Sequence, residues 1–307
     1  MSAPTKIEWS DFTWNPVSGC TKVSAGCDHC YAESIATRFA GGPAYPHGFA
    51  VTLKPERLTD PLRKRSWRGR RVFVNSMSDL FHKDVPDEYI ARVFAVMALT
   101  PEITYQVLTK RHGRMRSLLN DVGWRASVGS AMLHIDVDAA QALFRSGPYA
   151  LSDGWTRSLW PLLNVHLGVS VEDQHSAGLR IPALLDTPAA VRFLSCEPLL
   201  GRVDLSPWLH TTECLTTDDP PWCVCHVGMT DPFDWVIVGG ETGPGARPMR
   251  EEWAVSLVAQ CRAANVPVFV KQMGSVWAKE HGLRGKADAL DELPEGLRVR
   301  EFPGGAS

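Results

Sequence analysis

Residues 71–111 read RVFVNSMSDLFHKDVPDEYIARVFAVMALTPEITYQVLTKR. Arg71–Asn75 and Thr104–Thr109 are short, β-branched and apolar almost throughout, the composition of strands buried on both faces of a parallel sheet. Between them, Asp87–Leu99 carries apolar residues at helical spacing behind Pro86, and proline suits a helix start because the first N–H has no intrahelical partner. Strand, helix and strand in so short a span predict a βαβ unit and an α/β fold.

The same rhythm continues outward. Candidate strands are Ile7–Trp14, Val165–Val171, Val191–Ser195, Trp235–Val238 and Val268–Lys271, and further helices are predicted over Cys30–Phe39 and Glu251–Ala264. Alternation of this kind implies a parallel sheet, open or closed into a barrel. Asp121–Trp160 interrupts it with a helix signal near Ala139–Arg145, and Trp208–Phe233, rich in Pro, Thr, Asp and Cys, reads as a loop insertion. Beyond Gly274 the chain turns charged and Gly-rich, and a partly ordered extension is expected.

The bulk numbers are those of an ordinary globular chain: 307 residues, 44% hydrophobic and 21% charged. A net charge of -2 exerts no global pull on nucleic acid. The opening MSAPTKIEWSDF lacks the apolar core of a signal peptide, and no stretch is long enough to span a membrane. A cytoplasmic location is expected, where the eight cysteines stay reduced and serve as ligands or core rather than disulfides.

In parallel α/β folds chemistry sits at the carboxyl ends of the strands. Here those ends carry Asn75, Ser76, Ser78 and Asp79; Thr109, Lys110 and Arg111; Ser170, Glu172 and Asp173; Ser195 and Glu197; Gly239–Gly245 with Glu241; and Lys271 and Gln272. Jointly they would ring a common mouth, although each alone could be a polar loop. Glu197 and Glu241 are candidate acid/base or ligand-orienting groups, and Lys110 and Lys271 candidate anion contacts; each could instead close a local salt bridge. The glycines of GGETGPG would let backbone amides approach a ligand, or would form a tight turn.

The first strand leads into Cys20, Cys27 and Cys30, separated by six and then two residues. Three thiolates this close can hold a metal centre. On a cubane iron–sulfur cluster, which normally has four cysteine ligands, they leave one iron open. The other reading is a zinc knuckle completed by His29. A second group, Cys214, Cys223, Cys225 and His226, lies in the Trp208–Phe233 insertion and offers the four ligands of zinc or the cysteines of an auxiliary iron–sulfur cluster, or is a loop with incidental thiols. Cys196 and Cys261 sit in apolar contexts and read as core. The basic run Leu62–Arg71 with Trp67 suits phosphate contact and base stacking, but it precedes a strand and reads better as a solvated connector. Lys110, Arg111, Arg114 and Arg116 follow a strand and are the better phosphate candidates.

Eight segments, IEWSDFTWNPVSGC, CDHCYAE, RVFVNSMSDLFH, LTKR, LGVSVED, RFLSCEPLLG, WVIVGGETGPGARPM and VFVKQMG, make this chain resemble the phage-associated three-cysteine-motif family, itself similar to radical S-adenosylmethionine enzymes. The resemblance implies a partial (βα) barrel of about six to seven parallel strands over residues 1–275, with insertions 121–160 and 208–233 and an extension 276–307. It implies a [4Fe–4S] cluster on Cys20, Cys27 and Cys30 whose free iron binds S-adenosylmethionine. Reductive cleavage would then yield a 5′-deoxyadenosyl radical, with a reductase as electron donor and a nucleotide or nucleic acid as the suggested substrate. By position Ser76, Ser78 and Asp79 would face the methionyl end, Ser170 and Glu172 the ribose, and Asn75 is a further cofactor-binding candidate. The sequence departs from the radical enzymes in its first cysteine gap, six residues instead of three. It also has His29 where an aromatic residue is usual, with Tyr31 just beyond, and its Gly-Gly-Glu comes at Gly239–Glu241 rather than after the second strand. The alternative function is a non-catalytic, metal-stabilised barrel that binds nucleic acid or a protein partner.

Overall fold

A computed structural model describes residues 4–146, 160–209 and 233–304. Seven strands are parallel: β1 (Phe12–Trp14), β4 (Arg71–Val74), β5 (Thr104–Thr109), β6 (Val165–Ser170), β7 (Val191–Cys196), β8 (Trp235–Gly239) and β9 (Val268–Gln272). Their order in the sheet is β1-β4-β5-β6-β7-β8-β9. This is the order of a partial (βα) barrel; a doubly wound sheet reverses at a switch point. A short antiparallel pair, β2 (Val17–Ser18) with β3 (Thr52–Leu53), stands apart. The chain forms two compact units, Met1–Ser170 with Asp186–Arg192, and Val171–Leu185 with Phe193–Ser307.

In the first unit the register sets Phe73 opposite Gln106, Gln106 opposite His166, and Leu108 opposite Gly168. Strand side chains alternate between faces, so Phe73, Gln106, Leu108, His166 and Ser170 belong to one face. Val72, Val74, Tyr105 and Val107 belong to the other. That second face meets the helical layer: the Tyr105 hydroxyl bonds Thr100 Oγ1 at 2.6 Å, just past α4 (Asp87–Ala98), and its ring packs on Trp14. Helix α4 buries Tyr89–Ala91 and Val93–Ala98, which explains its near-continuous apolar sequence.

Two expectations are corrected here. The first strand begins at Phe12, not Ile7, because Ser10 N–H turns back to the Ile7 carbonyl. Residues 121–160 hold two helices before the described residues break off, α6 (Val122–Ile135) and α7 (Val137–Ser146), where one was expected near Ala139–Arg145. Helix α6, VGWRASVGSAMLHI, mixes small and apolar residues all around and so lacks a one-sided stripe. Its start is set by Asp121 Oδ1, which accepts the Trp124 N–H at 2.7 Å.

In the second unit β8 is buried along its whole length, and helices Gln174–Leu185, Glu251–Ala263 and Ser275–Glu280 accompany the strands. The extension after Gly274 is folded through Gly304. Val270 N–H donates to Val299 O at 2.9 Å and Glu301 N–H to Val268 O at 3.0 Å, so the tail closes the free edge of β9. Phe302 packs against the Trp235 and Phe269 rings, and Trp235 Nε1–H donates to Glu301 O at 2.8 Å. Among the described residues, no helix is long and apolar enough to cross a membrane.

Candidate functional site

The cysteine loop is pinned to the carboxyl ends of β4 and β5. Gly19 has a φ of 83°, and a Cβ there would lie 2.1 Å from the Ala50 carbonyl oxygen, so only glycine fits. Its N–H donates to Met77 O, and the next N–H, of Cys20, to Phe49 O. Asn15 Oδ1 accepts the Met77 N–H at 3.0 Å while its Nδ2 donates to Ser76 Oγ at 3.1 Å. Ser78 Oγ donates to Val17 O at 2.8 Å. Buried Asp79 accepts from Thr109 Oγ1 at 2.7 Å, Phe81 N–H at 3.0 Å and Lys110 N–H at 3.1 Å. Ser76, Ser78 and Asp79 therefore bind the strand-end loops together.

Arg111, read from the sequence as a phosphate candidate, and His82, which the sequence did not single out, complete the clamp. Arg111 Nη2–H donates to Thr21 O at 3.0 Å and Thr21 Oγ1 at 2.8 Å, and lies 4.0 Å from Cys20 Sγ. His82 Nδ1 accepts the Asp84 N–H at 3.1 Å, which leaves the proton on Nε2 to reach Thr21 Oγ1 at 2.8 Å. Burial, then the Arg111 cation, lowers the His82 pKa and keeps the ring neutral. Burial, then the Asp79 charge, pushes the Cys20 thiol up, against an opposing pull from Arg111. Cys20 thus rests as a thiol, and binding a cation there releases a proton.

Cys27 ends a short 3-10 turn (Ala25–Cys27), and Cys30 caps α1 (Tyr31–Arg38), whose Tyr31 hydroxyl donates to Ser76 O. All three cysteines are free and partly exposed. The donor chemistry fits a thiophilic metal or an iron–sulfur cluster. The cage is not assembled: among the described residues no three His, Cys, Asp or Glu side chains are gathered closely enough to hold an ion, His29 included. Cys214, Cys223, Cys225 and His226 lie outside the described residues.

Beside the clamp, Asn75 is 3% exposed at a φ of 61°, and neither its Oδ1 nor its Nδ2 has a hydrogen-bond partner. Away from the clamp, in the amino-terminal halves of β5 and β6, buried Gln106 Oε1 and His166 Nδ1 are also unpartnered. Burial pushes the His166 pKa down to about 4, so the ring is neutral. Ser170 is buried at the end of β6. Gln106 and His166 were legible only as polar interruptions of apolar strands; their adjacency needed the register.

The second unit gathers charges that satisfy one another. Lys271 Nζ donates to Glu197 Oε1 at 2.6 Å, and Gln272 Nε2 to the same oxygen at 3.0 Å. Arg247, which the sequence did not single out, grips Glu241 through Nη2 at 2.6 Å, Nε at 2.9 Å and its backbone N–H at 2.7 Å. Glu172 pairs with Arg180 at 2.8 Å, both buried. A Cβ on Gly240 would lie 2.2 Å from Met273 O, so this glycine serves a close backbone crossing. The local salt-bridge reading thus describes Glu197, Lys271 and Glu241.

The basic residues are likewise engaged. Trp67 is fully buried, stacked on Phe12 with Lys64 over its ring. Lys64 pairs with Asp60, Arg68 with Glu102 and Arg71 with Asp11. Leu62–Arg71 is a connector whose tryptophan is core. Past β5, Arg114 donates to the His82 and Val85 carbonyls and to Asp87, and Arg116 pairs with Asp186 at 3.4 Å. Cys196 and Cys261 are fully buried, as expected of core, and burial raises both thiol pKa values, that of Cys261 to about 12.

No curated protein and no solved structure matches this chain. A family model described as "Protein of unknown function (DUF5131)" matches residues 4–303, nearly the whole of it, and the chain belongs to that family.

Proposed function

We propose that this protein is an iron–sulfur enzyme of the radical S-adenosylmethionine type, working in the cytoplasm on a nucleotide or nucleic acid. One observation carries the reading: three free, part-exposed cysteines stand in a loop clamped to the carboxyl ends of β4 and β5, beside the unpartnered Asn75. Cys20, Cys27 and Cys30 would hold a [4Fe–4S] cluster. When bound, such a cluster supplies the electron that cleaves S-adenosylmethionine. Arg111 and His82 hold the first cysteine in place through Thr21, and the Arg111 charge favours thiolate at Cys20. Asn75 and Ser170 are the strand-end groups suited to orient the cofactor. The neutral, unpartnered Asn75 at the end of β4 suits a base edge better than a phosphate.

Anaerobic reconstitution with iron and sulfide tests the reading. A brown protein that loses its colour in the Cys27→Ala variant and forms 5′-deoxyadenosine on reduction supports it. A colourless protein that takes up only zinc overturns it in favour of the non-catalytic, metal-stabilised alternative.

A further inference from the structure

Apart from the cysteine loop, the first unit contains a cavity of about 310 Å³ between α6, the end of α4 and Trp160–Leu162, within the lower range of small-molecule sites. Its floor is apolar, made by Ala98, Val128, Met132 and Leu162. The α6 side is kept open by small residues: Ala126, Gly129 and Ser130 fall on one face, where larger side chains would fill the space.

Besides Ser130, Arg125 and Trp160 bring polar groups to its lining. Arg125 gives its Nε–H to Leu119 O at 2.8 Å, and its guanidinium lies 5.6 Å from the centre of the Trp160 ring. Among the described residues it closes no salt bridge; burial lowers its pKa and only the Asp121 charge opposes this, from beyond salt-bridge distance, so the guanidinium has room for an anion. The Trp160 indole is held edge-on to Trp124 and close to Phe94, and its Nε1–H is buried without an acceptor. Leaving a buried N–H unpaired is costly, so a ligand oxygen there is favoured.

We propose that this cavity binds a small apolar carboxylate, its oxygens on the Arg125 guanidinium and the Trp160 indole N–H, its hydrocarbon body on Val128, Met132 and Leu162. The site is independent of the cysteine loop and of any metal. Isothermal titration of the full chain with octanoate and octanol tests it. Octanoate is expected to bind at least about tenfold tighter than octanol, as a charge-assisted contact requires. Arg125→Gln should abolish that preference, and Trp160→Phe, which keeps the ring, should weaken octanoate severalfold. Ser130→Phe should block both ligands by filling the cavity. Thermal unfolding of each variant establishes that it is folded. Equal binding of acid and alcohol, undiminished octanoate binding by folded Arg125→Gln, or no octanoate binding at about 1 mM overturns the proposal.

Discussion

The strand ends of the two units solve the same burial problem differently. In the second, charged side chains answer one another: Glu241 takes three hydrogen bonds from Arg247, and Glu197 takes Lys271 and Gln272. In the first, single charges bind the loops through neutral partners, Asp79 through Thr109 and backbone N–H groups and Arg111 through Thr21, while Asn75 is left with open hydrogen-bonding capacity. A saturated charge pair supports a fold and has little left to offer a ligand. An unsaturated neutral side chain costs stability and retains recognition. This difference directs the search for substrate and cofactor toward the cysteine end.

The contrast can be broken most forcefully at Glu241. Its carboxylate is 5% exposed and Arg247 is 30% exposed, so Glu241→Ala should destabilise the protein by about 3 kcal/mol, toward the low end for a broken buried pair. Urea denaturation measures this; a loss below about 1 kcal/mol would place the pair among ordinary surface bridges.

Next comes pH. The folded His166 pKa is lowered from 6.5 to about 4 by burial, so the unfolded chain takes up the proton first as pH falls. The contribution of His166 to stability is complete above about pH 6.5 and is lost as pH drops toward 4, by about 3 kcal/mol at most. Denaturation midpoints of wild type and His166→Gln across that window should converge at acid pH, the variant having the flatter profile.

Glu197 and Lys271 offer a smaller test. Removing either partner should cost about 2 kcal/mol, reduced from the fully buried case by their 20% and 14% exposure. The Glu197→Leu/Lys271→Met double variant should cost less than the two losses summed. Additive losses would deny the coupling.

The smallest effect has the opposite sign. Asn75→Gly removes two unpartnered polar atoms and a left-handed non-glycine residue, so the protein should gain about 1 kcal/mol, while affinity for the proposed S-adenosylmethionine should fall. A loss of stability would show that Asn75 serves the fold.

Much of this was legible in the chain, though unevenly. The strands from Arg71 to Gln272 lie within a residue or two of their expected bounds, because a buried parallel strand must be short, apolar and β-branched. Helix α6 was missed since apolar and small residues also stand off its one buried row, Trp124, Val128 and Met132, so no single period marks it. The tail after Gly274 looked open because its polar surface hid its backbone pairing to β9. At the site, the clustering of Asn75–Asp79, Lys110 and Ser170 at strand ends could be read. Their division into loop anchors and unpartnered groups could not, since that depends on partners such as Asn15 and Thr109, far away in sequence.

Local chemistry alone, then, settled the alternation of strands and helices and which residue types crowd the strand ends, because strand burial and helix periodicity are written into neighbouring letters. Only the tertiary structure decided that Arg247 neutralises Glu241, that Arg111 and His82 meet at Thr21, and that Gln106 and His166 lie side by side. Hydrogen bonds and charge pairs reach a few ångströms in space, and chain separation carries no record of that distance.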